Sequence, residues 1–203
     1  MPKERVAGVI LAGGQATRMG GGDKCLLDLG DGRLLLDEIM MRLNPQVDRL
    51  ALNANGDPAR FASYGLAVLP DSLNDAGPLA GVLAAMRWAR DQDCGAVVTV
   101  AGDTPFFPPD LVVRLMAGGE GHRVAMAATD RVHPVCALWD TALIETLVVA
   151  LAKGTRRVAE FAALQGAVTV QFPQTGALDP FFNINTKADL DQMKRILSST
   201  GQG

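Results

Sequence analysis

Residues 6–24 read VAGVILAGGQATRMGGGDK, an apolar run that passes directly into a glycine-rich loop. The run Val6–Leu11 predicts a buried β-strand. Glycines fill five of the next 13 positions, and they let backbone N–H groups turn toward an anion without side-chain obstruction. Arg18 and Lys24 add the positive charge that a polyphosphate requires. We therefore expect a phosphate-binding loop at the end of the first strand of an α/β sheet; a flexible turn is the alternative for the loop alone.

The loop matches neither of the two best-known phosphate-binding patterns. Lys24 follows Asp23 and precedes Cys25, so the Gly-Lys-Ser/Thr ending of a Walker A loop is missing. The dinucleotide pattern G-x-G-x-x-G is also absent from this loop. The residues indicate a phosphate-binding loop of a third kind.

Composition limits the class of protein. The chain has 203 residues, 48% of them hydrophobic, so we expect one domain over 1–203 with a substantial core and a frayed tail at 198–203. A net charge of −3 gives no basic surface for nucleic acid. The three cysteines are odd in number and lack a C-x-x-C pair, which favours reduced thiols in the cytoplasm. No apolar run approaches the roughly 18 residues of a membrane span.

Strand-like and helix-like segments alternate along the chain. The predicted strands are Arg5–Leu11, Arg49–Asn53, Ala67–Leu69, Ala96–Ala101, Val124–Ala128, Pro134–Leu138 and Val168–Phe172. The predicted helices are Leu34–Leu43, Leu79–Arg90, Pro109–Met116, Thr141–Leu151, Arg157–Leu164 and Lys187–Leu197. This order predicts a Rossmann-like three-layer α/β/α fold with a mostly parallel central sheet. Ligands of such sheets lie over the carboxyl ends of the strands.

Polar residues follow the first four predicted strands at their carboxyl ends. After the glycine loop come Asn53, Asp71 and Asp103, each at the end of one strand. Because parallel strands present their carboxyl ends at one edge, we expect these residues to meet. Asp103 is placed to hold Mg²⁺, a hard ion that prefers oxygen ligands. The alternatives are local: an Asx turn before Pro105 for Asp103, and turn or backbone hydrogen bonds for Asp71 and Asn53.

Three later motifs allow both a functional and a local interpretation. Residues 77–81, GPLAG, open a helix and could approach a base or ribose closely, or simply mark a helix start with proline. Arg156 could bind an anionic second substrate or lie solvated at a helix start. Residues 183–186, NINT, are first of all a helix cap. The absence of G-x-S-x-G disfavours an α/β-hydrolase, and two histidines with three scattered cysteines predict no transition-metal cluster.

The motifs together resemble those of nucleotidyltransferases that attach a nucleoside monophosphate to a phosphorylated acceptor. The pattern LAGGxxxRMGGxDK at 11–24 is specific to that superfamily. Within it the chain closely resembles the molybdenum cofactor guanylyltransferases, because further motifs follow in that family's order over residues 6–197. These are Asn53–Asn55, Asp71, Gly77–Gly81, Asp103–Phe106, His133–Val135, Gly154–Val158 and Phe182–Thr186.

The resemblance implies a reaction and a set of site residues. The reaction is Mg²⁺-dependent transfer of GMP from GTP to the terminal phosphate of the molybdenum-molybdopterin cofactor, with release of pyrophosphate. By position the catalytic residues would be Arg18, Lys24 and Asp103, and Asp103 would also be the metal ligand. The nucleotide-binding residues would be Leu11, Ala12, Gly13, Gly14, Lys24, Asn53, Asp71, Pro78, Leu79, Gly81 and Asp103. The second-substrate residues would be Arg156, Asn183 and Asn185. Transient contacts with molybdenum-insertion proteins and molybdoenzyme chaperones are also implied.

Three alternatives remain at this point. Two are enzymes: a molybdopterin cytidylyltransferase and a sugar-phosphate nucleotidyltransferase. Cytidylyl relatives typically have Ala-Ala-Gly where this chain has Ala12-Gly13-Gly14, and the extra glycine leaves space for a purine. The third is a non-catalytic cofactor-binding protein, for which Arg18, Lys24 and Asp103 together would be superfluous.

Overall fold

The computed structural model of the chain describes residues 5–13, 22–30, 32–73, 77–174 and 178–200. The described residues form seven strands: β1 Val6–Leu11, β2 Arg49–Asn53, β3 Ala67–Leu69, β4 Ala96–Ala101, β5 Val124–Ala128, β6 Val132–Asp140 and β7 Val168–Gln171. They also form six α-helices: α1 Leu35–Leu43, α2 Pro78–Asp91, α3 Leu111–Gly118, α4 Ile144–Ala152, α5 Val158–Leu164 and α6 Lys187–Thr200. No helix in these ranges is both long and apolar enough to cross a membrane.

The seven strands join one sheet in the order β3-β2-β1-β4-β6-β5-β7. All neighbouring pairs are parallel except those made by β6, which runs antiparallel to β4 and β5. Helices α2, α4 and α5 cover one face of the sheet, and α1 and α3 cover the other. The predicted Rossmann-like three-layer fold with a mostly parallel sheet is therefore confirmed. Since one sheet joins strands from residue 6 to residue 171, we propose that 1–203 is a single domain.

Local sequence accounts for most element boundaries. Strand β4 is buried along almost its whole length, as its valine-rich run predicts for a strand covered on both faces. Helix α2 begins with Pro78 in the first turn after Gly77, which has a φ of 64°; proline fits that first turn because its missing N–H has no helical partner there. Four predicted strands, β2 to β5, have the observed limits.

Several predicted boundaries were wrong. The predicted helix at Pro109 begins only at Leu111. The predicted helix at Thr141 begins as a 3₁₀ turn and becomes α-helical at Ile144. Helix α6 runs to Thr200 instead of ending at Leu197, so the expected frayed tail overlaps the helix, and residues 201–203 lie outside the described residues.

The chain order of the strands creates a crevice above β1. From β1 the chain builds outward through β2 and β3, and then returns to place β4 on the other side of β1. Connections that leave in opposite directions separate above the strand ends, and ligands bind at such switch points. Backbone hydrogen bonds hold the two neighbours at the end of β1: Ala12 N–H donates to Asn53 O at 2.8 Å, and Gly102 N–H donates to Leu11 O at 2.9 Å.

A buried polar chain joins β4 to β6 in the core. Trp139 Nε1–H donates to Thr99 Oγ1 at 3.0 Å. The Thr99 hydroxyl in turn donates to Val135 O at 2.6 Å. Both Trp139 and Thr99 are inaccessible to solvent, so neither can replace a lost partner with water.

We expect Thr99→Val to destabilise the protein by about 1–3 kcal/mol, because it leaves the Trp139 N–H buried without an acceptor. Urea unfolding would measure the change. Thr169→Val on the exposed part of β7 is the matched control, and we expect it to be nearly neutral. Equal effects of the two substitutions would contradict the role given to the Thr99 hydroxyl.

Candidate active site

A cavity of about 360 Å³ lies at the carboxyl ends of β1 and β4, within the size range of small-molecule sites. Nine of the predicted site residues line it: Leu11, Ala12, Gly13, Lys24, Asn53, Pro78, Gly81, Asp103 and Asn183. These residues come from six separate parts of the sequence: 11–13, 24, 53, 78–81, 103 and 183. The parallel strands and the start of α2 bring them together.

Lys24 and Asp103 meet inside this cavity. The Lys24 ammonium lies 3.3 Å from Asp103 Oδ2 and donates to Asn185 Oδ1 at 2.7 Å. Both side chains of the ion pair are less than one-fifth exposed, so water screens them only partly. The carboxylate after β4 and the amide before α6 thus face one cation position.

The segment before α6 is fixed against the end of β4. Ile184 N–H donates to Asp103 O at 2.9 Å. The Thr104 hydroxyl donates to Asn183 Oδ1 at 3.0 Å. These bonds attach residues 183–185 to Asp103, although the two segments are some 80 residues apart in sequence.

A cluster of two amides and one carboxylate forms the other side of the site. The Asn53 amide donates to Asp71 Oδ1 at 2.9 Å and to Leu69 O at 2.9 Å. The Asn55 amide donates to Asp71 Oδ2 at 2.8 Å, and its carbonyl accepts from Asp71 N–H at 2.8 Å. Each carboxylate oxygen of Asp71 therefore has an amide partner, so its orientation is fixed.

Gly81 of α2 leaves the space that Asn53 needs. A Cβ added at Gly81 would fall well inside contact distance of Asn53 Oδ1, and it would lie 3.3 Å from Leu11 Cδ2. Asn53 is buried and its amide is bonded to Leu69 O and Asp71, so it cannot withdraw freely. Helix α2 can approach the end of β2 only because residue 81 is glycine.

A second cavity of about 230 Å³ adjoins the first. The two share Ala101, Val135 and Asn183 as a common wall. His133 lies in the second cavity and stacks on Phe181 with ring centroids 4.7 Å apart. Burial lowers the pKa of His133, opposed in part by the nearby Asp179 carboxylate. The imidazole is therefore a neutral wall of the cavity at neutral pH.

Four predicted site residues that the structure describes do not line this cavity: Asp71, Leu79, Arg156 and Asn185. The Leu79 side chain is fully buried in the core between α2 and the sheet. The Arg156 guanidinium donates to Leu151 O and Thr155 O, at 2.9 Å each. Asp71 and Asn185 do not line the cavity themselves, but each contacts a residue that does. Asn53 donates to Asp71, and Lys24 donates to Asn185. Arg18 and Gly14 lie outside the described residues.

Some cavity residues were not predicted from the sequence. Cys25 lines the cavity directly after Lys24, and burial together with the Asp23 carboxylate raises the pKa of its thiol to about 12. The thiol is therefore protonated at neutral pH and is a poor nucleophile. Gly102 also lines the cavity, and a Cβ there would lie 3.1 Å from Ala12 Cα. Its position directly before Asp103 was the available signal.

A mostly parallel sheet with a cavity at its switch point, lined by a lysine–carboxylate pair, is typical of nucleotide-binding α/β proteins. The comparison with known families identifies the class as that of the nucleotidyltransferases. The family model described as "MobA-like NTP transferase domain" matches residues 8–168. The chain belongs to this family.

Within this family, the similar curated proteins are molybdenum cofactor guanylyltransferases. A molybdenum cofactor guanylyltransferase of Mesorhizobium japonicum is 50% identical over 202 residues, covering 96% of this chain and 97% of the relative. One of Cereibacter sphaeroides is 50% identical over 193 residues, covering 95% and 97%. The crystal structure of molybdopterin-guanine dinucleotide biosynthesis protein A from Archaeoglobus fulgidus has the same fold, with a TM-score of 0.78, 24% identity and coverage of 95% and 99%. The resemblance found in the sequence is confirmed.

We expect Gly81→Ala to destabilise the protein, although alanine favours a helix interior over glycine by about 1 kcal/mol. The added methyl group must displace the Asn53 amide from its two acceptors. In an Asn53→Ala background the same substitution should become neutral or stabilising. Chemical unfolding of the four proteins of this double-mutant cycle measures the change of sign. The same cost in both backgrounds would show that Asn53 is not the obstacle.

Proposed function

We propose that this protein transfers GMP from GTP to the terminal phosphate of the molybdenum-molybdopterin cofactor and releases pyrophosphate. The observation that carries the proposal is the Lys24–Asp103 contact at the end of β4, inside a cavity lined by the motif residues. A cation and a carboxylate at this point suit a phosphate and its counter-ion. The names of the relatives supply the substrate class.

The order of strands supports a linear arrangement of substrates across the sheet. The nucleoside would lie over β2 and β3, against Asn53, Pro78, Gly81 and the backbone of Leu79. Asp71 would contribute by orienting the Asn53 amide. The triphosphate would lie over β1, against Leu11, Ala12, Gly13 and Lys24, together with Gly14 and Arg18. The acceptor would enter from the β6 side, where the second cavity meets the first at Asn183.

The donor atoms near Asp103 suit Mg²⁺. The Asp103 carboxylate and the Asn185 amide oxygen, both hard ligands, contact the Lys24 ammonium, which marks a cation position between them. The Asn183 amide oxygen accepts from the neighbouring Thr104 hydroxyl. Within the described ranges no three His, Cys, Asp or Glu residues cluster. Mg²⁺ commonly needs only one or two carboxylates plus substrate phosphates and water. Asp103 would hold the ion, whose chemistry is to offset charge on the transferring phosphate.

The residues at the site fit a mechanism without a strong general base. A phosphate monoester has a second pKa near 6 and is already a dianion at neutral pH. The acceptor phosphate would attack the α-phosphorus of GTP, and pyrophosphate would leave. Lys24 and Arg18 would neutralise the leaving charge, so positioning and electrostatics supply the catalysis. The protonated Cys25 thiol is compatible with this absence of a base.

The proposed second-substrate residues Arg156, Asn183 and Asn185 are placed differently relative to the two cavities. Asn183 lines both cavities, which supports an acceptor contact. Asn185 reaches the site through Lys24. The Arg156 backbone lies beside Gly77 at the start of α2, but its guanidinium is bonded to its own loop. An acceptor phosphate would have to draw that side chain away from two carbonyl groups.

Asp103→Ala should reduce Mg²⁺-dependent turnover by about a hundredfold or more, because it removes the carboxylate that would hold Mg²⁺, the ion that offsets phosphate charge. The Tm should change little. Pyrophosphate release on mixing GTP, Mg²⁺ and molybdenum-molybdopterin measures the rate. Asp91→Ala at the exposed end of α2 is the control. Near-wild-type activity of Asp103→Ala would refute the assignment.

A comparison of nucleotides separates the alternatives. We expect GTP with Mg²⁺ to raise the Tm more than CTP, ATP or UTP at equal concentration, since a ligand stabilises the folded state that binds it. A preference for CTP would favour a cytidylyltransferase. Stabilisation by GTP without pyrophosphate release would favour a non-catalytic binding protein. Cytoplasmic location and transient contacts with molybdenum-insertion proteins or molybdoenzyme chaperones stay predictions.

A further inference from the structure

Arg60 connects the start of the Lys24 segment to the end of β2. It lies in the 3₁₀ helix Pro58–Tyr64 that follows β2. Its guanidinium makes a two-pronged contact with Asp23: Nε lies 2.6 Å from Oδ2, and Nη2 lies 3.2 Å from Oδ1. Such a paired contact fixes direction as well as distance, which a lysine ammonium cannot do.

Three further contacts hold the Arg60 guanidinium in place. Nη2 also donates to Asn55 O at 2.6 Å, and Nη1 donates to Asp57 O. The guanidinium carbon lies 4.5 Å from the centre of the Phe61 ring. With these contacts the Arg60 side chain is held to the turn after β2, and Asp23 is held to Arg60.

Asp23 directly precedes Lys24, so whatever fixes Asp23 also fixes the backbone that carries the Lys24 ammonium. The Asp23 side chain is only 18% exposed and that of Arg60 28%. Without Arg60, Asp23 would be a largely buried carboxylate with no cationic partner among the residues that the structure describes, beside a site for a polyanion. It would repel phosphate and compete for Lys24.

The ion pair between Arg123 and Asp140 is longer and more exposed than that between Arg60 and Asp23. Arg123 and Asp140 lie 3.9 Å apart, with side chains 59% and 39% exposed. They join the start of β5 to the end of β6. This is the end of the sheet where the parallel strands begin, away from the cavity at their carboxyl ends. This pair touches no part of the site and provides a matched comparison.

We propose that Arg60 is a positioning residue for the nucleotide triphosphate, acting through Asp23 on Lys24. The proposal rests on the proposed function, because it takes GTP as the ligand. Arg60 itself does not touch the reacting atoms. It neutralises Asp23 and holds the Lys24 segment in place beside Asp103.

The test compares the affinities for GTP and for guanosine, which lacks the phosphates. In Arg60→Met the Kd for GTP should rise about tenfold, the effect of weakening one charge-assisted hydrogen bond from the displaced Lys24 to phosphate, while the Kd for guanosine stays within about twofold. The KM for GTP should rise and the KM for the acceptor should not. Arg60→Lys keeps the charge without the paired contact and should fall between Arg60→Met and the wild type. It also serves if Arg60→Met does not fold.

A double mutant identifies Asp23 as the intermediary. Removing the unpaired carboxylate with Asp23→Ala should restore part of the GTP affinity lost in Arg60→Met, so the two effects will not add. Arg123→Met is the control and should bind GTP as the wild type does. Unchanged GTP affinity in Arg60→Met, or equal losses for GTP and guanosine, would overturn the proposal. Failure of the wild type to bind GTP would refute the proposed function instead.

Discussion

The close approach of three strands at the end of β1 is the constraint on which the site depends. Ala12 N–H donates to the carbonyl of Asn53 on β2, and Gly102 N–H donates to the carbonyl of Leu11. These two bonds fix where the chain leaves β1, β2 and β4, and therefore where Asn53 and Asp103 point. Glycine is needed at residue 102 because a Cβ would press on Ala12 Cα. A wider separation of the strand ends would place Asn53 and Asp103 on different surfaces and leave no common cavity.

Charge is balanced pair by pair in this small space. Lys24 faces Asp103, and Arg60 faces Asp23. The Asp71 carboxylate instead has two amide partners, Asn53 and Asn55. Partly buried charges are costly unless they are paired or hydrogen-bonded, so each acidic group near the cavity has a designated partner. The same arrangement leaves the site ready for a polyanion, because phosphate oxygens can take over the role that carboxylates have beside Lys24.

Much of the fold could be predicted because the local signals agree with one another. The short apolar runs of β2 to β5, rich in valine in β4, and the proline at the start of α2 specify those elements within a few residues. The antiparallel direction of β6 was not predictable, because the apolar run predicted at Pro134–Leu138 has no feature that distinguishes an antiparallel from a parallel strand. The contact between Arg60 and Asp23 spans 37 residues and has no pattern in the sequence. Leu79 was expected at the site from its place in the GPLAG motif at 77–81. Its side chain is instead buried in the core between α2 and the sheet.

The sequence by itself determined the class of fold, the polar residues at the ends of the first four strands and the family to which the chain belongs. The order and spacing of the motifs carry that information, because each motif is a short stretch of neighbouring residues that can be read directly from the sequence. The tertiary structure decided which residues share a cavity, that Asn183 borders a second one, that Arg156 is bonded within its own loop, and that Gly81 makes room for Asn53. Those facts depend on contacts between segments far apart in the chain. Packing of α2 and of the segment before α6 against the sheet fixes them, and no local pattern encodes that packing.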